Sequence, residues 1–70
     1  MPNLDDALMK IKYLEKQKHM LIEEMKNLEE NHKKKKVNED IYKERRHDIE
    51  KALVEIMDHL VQMNFLKRQK

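Results

Sequence analysis

Cysteine, glycine, serine and threonine are all absent from this chain of 70 residues, and its one proline is Pro2. Without cysteine there is no disulfide framework, no thiol nucleophile and no thiolate metal site. Without glycine there is no phosphate-cradling loop, and without serine the commonest hydroxyl nucleophile is missing. Aromatic residues make up only 4% of the chain, too few for a platform on which nucleobases stack.

Long apolar runs are lacking as well. None exceeds three residues, as in Ala52–Leu53–Val54, far short of the roughly 20 residues that a membrane-spanning helix needs. The opening segment MPNLDDALMK carries acids where a signal peptide would carry bases and an apolar stretch. The expectation is an intracellular, cytoplasmic protein. A net charge of +2 is too small to imply nucleic acid by itself.

What is present is charge and helix formers. Charged residues account for 43% of the chain, and Lys, Glu, Leu and Met dominate. That composition belongs to long helices or a coiled coil. The whole chain, 1–70, makes one small domain, below the size at which a single core is usually self-sufficient.

The first helix is expected over about 4–31, capped by Asn3 with Asp5 and Asp6 in its first turn. Its apolar residues follow a heptad: Leu4, Ile11, Lys18 and Met25 at position a, and Ala7, Leu14, Leu21 and Leu28 at position d. The segment HKKKKVN, about 32–38, interrupts this pattern as a basic turn. Asn38 then caps a second helix over about 39–67, with Val37 and Tyr42 spaced as a hydrophobic staple. The words VNEDIY resemble the turn of many helical hairpins. In the second helix Tyr42, Ile49, Ile56 and Met63 read as a, and Arg45, Ala52, His59 and Leu66 as d.

Antiparallel pairing of these seams can be tested on the numbering, because facing residues must add to a constant. Ala7 with Met63, Leu14 with Ile56, Leu21 with Ile49 and Leu28 with Tyr42 all do so. So do Leu4 with Leu66, Ile11 with His59, Lys18 with Ala52, and Met25 with Arg45. The midpoint falls within Lys33–Lys36, where a short connection belongs. The fold expected is all-α: an antiparallel two-helix hairpin of coiled-coil type. One continuous helix through the lysines is the structural alternative.

Such a hairpin leaves apolar residues over. In the second helix Leu53 and Leu60 flank the seam and can be absorbed, whereas Val54, Met57, Val61 and Phe65 form a second stripe at helical spacing. In the first helix Met9, Tyr13 and Met20 lie away from the seam, with Met9 and Tyr13 level with Val61 and Met57. A contiguous apolar surface of this size calls for a partner. The expected interface is Met9, Tyr13, Val54, Met57, Val61 and Phe65. Its simplest use is a homodimer in which two hairpins form a four-helix bundle. The alternatives are docking as an accessory subunit on a larger assembly, which Met-rich surfaces suit, or a membrane-surface role.

Chemistry finds little footing. His19, His32, His47 and His59 are twelve or more residues apart, and the hairpin register brings no two together, so no metal site is expected. Glu23–Glu24, Glu29–Glu30 and Asp5–Asp6 are neighbours on a helix, about 100° apart, with no apolar pocket to raise a pKa. No catalytic residue, cofactor or small-molecule substrate is expected.

The remaining feature is basic. Lys33, Lys34, Lys35 and Lys36, with Arg45 and Arg46 nearby, read either as a solvated tip or as a knob for phosphates of nucleic acid or anionic lipid. Glu29, Glu30, Glu39, Asp40 and Glu44 surround it. The RRxxI segment (Arg45, Arg46, Ile49) in a short lysine-rich hairpin resembles the small hairpin protein of the large ribosomal subunit over about five residues. The near-neutral charge and the broad apolar face of the second helix depart from that pattern. The function expected is therefore assembly through protein–protein contact, with a nucleic-acid-contacting accessory role as the alternative.

Overall fold

The computed structural model describes residues 4–68, with side chains described over 5–66. Two helices, α1 (Leu4–Lys33) and α2 (Glu39–Arg68), pack against each other as a hairpin. The rod they form measures 51 × 15 × 15 Å, in line with 30-residue helices rising about 1.5 Å per residue. His32 and Lys33, the first residues of the expected basic turn, belong to the last turn of α1. The proposed Asn3 cap lies outside the described residues.

The connection is built by the backbone. Lys34 N–H donates to Glu30 O at 3.1 Å, Lys35 N–H to His32 O at 3.1 Å, and Lys36 N–H to Asn31 O at 2.8 Å. The last two form the crossed pair that closes a helix C-terminus, and the motif requires a left-handed residue between them. Lys35 fills that position with φ of 56°. Glycine takes this conformation freely, whereas a residue with a Cβ pays about 1–2 kcal/mol for it. Asn38 then starts α2, its Oδ1 accepting from Asp40 N–H at 2.8 Å. Val37 packs into the same cluster as Tyr42, as a staple should.

The core is a thin line of side chains in two clusters. Ile11, Leu14 and Leu60 form one, joined by Ile56 and Met63 toward the open end. Leu28, Tyr42 and Ile49 form the other, joined by Leu21, Met25, Val37 and Leu53 near the turn. The heptad of α1 and the a positions of α2 therefore meet as the numbering predicts.

The other half of the α2 seam does not follow the predicted register. Arg45 and His59, expected to face α1, are exposed, and Leu66 is exposed as well. Leu60 is buried in place of His59, while Leu53, expected beside the seam, packs into the turn-side cluster and is half-buried like Ala52. The seam alternates by four and three residues from Tyr42 through Arg46, Ile49, Leu53, Ile56 and Leu60 to Met63. The physical reason is simple. A small rotation of α2 exchanges His59 for Leu60, worth about 1.5–3 kcal/mol on full burial, and lets Leu53 share the seam with Ala52. It also spares the imidazole of His59 a desolvation cost.

Candidate functional site

The rotation of α2 decides where the surplus apolar residues point. Val54, Met57 and Val61 are 67%, 50% and 68% exposed, and Met9, Tyr13 and Phe65 are exposed as well. All six expected interface residues therefore lie on the surface. Met57 and Val61 share an open groove with Ile22 and His19 of α1. Val54 and Phe65 continue their stripe at helical spacing, and Phe65 shares a shallow apolar depression with Val61 and Leu66. This is one face of the rod.

Tyr13 and Met20 are elsewhere. They sit seven residues apart on α1, about three turns and one turn before Glu24, which lines a groove on the opposite face with Ile41 and Arg45. The expected surface is thus split by the seam. Val54, Met57, Val61 and Phe65 cohere, Tyr13 faces away from them, and Met9 lies at the back of α1. Of the exposed large apolar side chains, only Ile41 is close to the turn. Ile22, expected beside the seam of α1, is exposed as well, and Ile41 and Leu66 were missed as exposed residues. Ile41 was legible from its position outside the seam, whereas Leu66 needed the rotation of α2.

At the turn a polar network ties the two helices together. Tyr42, buried on its ring, donates its phenol to Glu29 Oε1 at 2.8 Å across the helix pair. Arg46 Nη1 donates to Tyr42 Oη at 3.0 Å, and its Nε donates to Glu50 Oε1 at 2.8 Å. The imidazole of His32 stacks flat on the Tyr42 ring, centroids 3.7 Å apart and 9° from parallel. Its Nε2 meets Glu39 Oε1 at 2.6 Å. The hydrogen bond to Glu29, with desolvation behind it, pushes the Tyr42 phenol above its ordinary pKa of 10.0. The Arg46 guanidinium is held charged even more firmly than usual by Glu50 and Tyr42.

This network separates the expected basic residues into two groups. Arg46 is committed to Tyr42, Glu50 and Glu29. Arg45 is exposed and unpaired among the described residues. Lys33, Lys34, Lys35 and Lys36 are all exposed, and none is in an ion pair or side-chain hydrogen bond among the described residues. Of the five acids expected around them, Glu29 and Glu39 bond to Arg46, Tyr42 and His32, whereas Glu30, Asp40 and Glu44 stay exposed beside the tip.

Among the described residues no three His, Asp or Glu side chains gather where a metal ion would sit. No helix among them is long and apolar enough to cross a membrane. The class defined by this geometry is an all-helical hairpin with a one-sided apolar stripe at its open half and a basic tip. Compared with protein families, curated proteins and solved structures, the chain matches none of them.

Proposed function

We propose that this hairpin is a non-enzymatic assembly module that works by self-association. Its contact surface is the stripe Val54, Met57, Val61 and Phe65 on α2, extended by Ile22 across the groove. The observation that carries this reading is the coherence of four exposed apolar residues at helical spacing on one face. Each is worth about 1.5–3 kcal/mol on full burial, a large sum for a chain with so thin a core. A second copy laid along this face completes a four-helix bundle with buried stripes and solvated tips. Met9, Tyr13 and Met20 remain outside that contact. They support a second engagement, in which the dimer docks as an accessory subunit on a larger protein assembly.

The test is mass in solution. At tens of micromolar the protein is expected at twice its 8.7 kDa chain mass by light scattering. Changing Val54, Met57 and Val61 together to Glu is expected to return it to the monomer. A parent chain that stays at the monomer mass across that range removes the self-association reading.

A further inference from the structure

The tip is a second site, independent of the stripe. Four consecutive cations stand exposed around the turn, none in an ion pair among the described residues, and the carboxylates of Glu29 and Glu39 are engaged by the Tyr42–Arg46–His32 network, while Glu29 and Glu30 share a groove with Lys33. The turn also keeps a lysine in the left-handed position, where glycine would remove the strain. An outlier of this kind points to a role for the side chain it retains. Free energy is spent here on keeping a fourth positive charge.

We infer that Lys33, Lys34, Lys35 and Lys36 form a sequence-independent contact for the phosphodiester backbone of duplex nucleic acid. Three observations select this partner. The chain leaves α1 at Lys33 and reverses direction through the left-handed Lys35, so the four lysines surround a turn rather than lying along one line. A single extended acidic peptide does not match that arrangement. The rod is 15 Å across between backbones, too broad to enter a major groove about 12 Å wide but suited to span one and meet phosphates on both walls. Tyr42, the Phe/Tyr ring nearest the tip, is buried and stacked against His32, so its face is not free to stack on an unpaired base. A lipid surface is disfavoured because Ile41 is the lone exposed large apolar residue close to the turn.

Binding to a labelled 20-base-pair duplex, followed by fluorescence anisotropy, tests the inference. With four phosphates neutralised, the logarithm of the affinity should fall with the logarithm of salt at a slope near −3.6, roughly a hundredfold loss between 50 and 200 mM. Replacing all four tip lysines with Gln should abolish the shift, with helicity and mass unchanged by circular dichroism and light scattering. Replacing Lys10, Lys12, Lys16 and Lys51, which removes the same charge elsewhere, should leave it within about threefold. The inference is overturned by absence of binding at 50 mM salt, or by equal losses in the two variants. It is also overturned by tighter binding to the single strand, or by binding to phosphatidylserine vesicles without binding to duplex. The Val54, Met57 and Val61 to Glu variant separates the two sites, since it should become monomeric and still bind through its tip.

Discussion

Single residues decide how the turn is held. Lys35 occupies a backbone conformation in which its Cβ is unwelcome, and Lys35→Gly should stabilise the hairpin by about 1 kcal/mol. In a domain of this size that raises the melting temperature by roughly 4–8 °C, as thermal circular dichroism would read. Tyr42 is the converse case. Its phenol is shared between Glu29 and Arg46, and Tyr42→Phe should cost about 1 kcal/mol. It should also change the alkaline limb. A phenol whose folded pKa is raised above 10.0 contributes stability that is present below that value and is lost as pH rises through the folded pKa. Urea midpoints above pH 10 should therefore fall more steeply for the parent chain than for the Phe variant.

At the scale of the helices, the exposed side chains tell as much as the buried ones. Leu60 is 9% exposed and His59 is exposed. Leu60→Ala should cost about 2–3 kcal/mol, whereas His59→Ala should stay within about 0.5 kcal/mol. Chemical denaturation of the pair distinguishes the observed seam from the one a strict heptad implies. The hairpin, the facing pairs such as Leu14–Ile56 and Leu28–Tyr42, and the cap at Asn38 were legible in the residues alone. They rest on local rules: a period, a capping side chain and a constant sum of residue numbers. The rotation of α2 was not legible, because positions three and four residues past each a residue both point near the partner. Only the contest between His59 and Leu60 settles it. The network at the turn was equally hidden. Nothing in the spacing of His32, Tyr42 and Arg46 says that a ring will stack there or that Glu29 will turn away from the lysines.

For the whole molecule the division of labour runs along the rod. Apolar exposure gathers toward the open end and the one run of consecutive lysines sits at the tip, with Ile41 the exposed large apolar residue nearest that tip among the described residues. The two faces of the open end are not equivalent. If the hairpin self-associates through the α2 stripe as proposed, Tyr13→Glu should leave the mass in solution unchanged, while Val61→Glu should weaken association about tenfold or more by sedimentation. If both changes weaken it equally, the contact wraps the open end instead of lying on one face.

The left-handed turn at Lys35 has one more consequence. The core of α1 is completed by α2 across a connection of five residues, and the fold-back depends on one residue with φ of 56°. Carrying the helical backbone through that point would fuse both segments into a single rod of roughly 95 Å. Two such rods lying antiparallel would rebuild every seam contact between chains, exchanging halves in a domain swap that needs no new surface. Lys35→Ile, whose branched Cβ tolerates a positive φ far less than lysine does, is expected to populate that exchanged form, and small-angle scattering would report it as a radius of gyration well above 15.8 Å. The hairpin's shape is thus a hinge set at one residue.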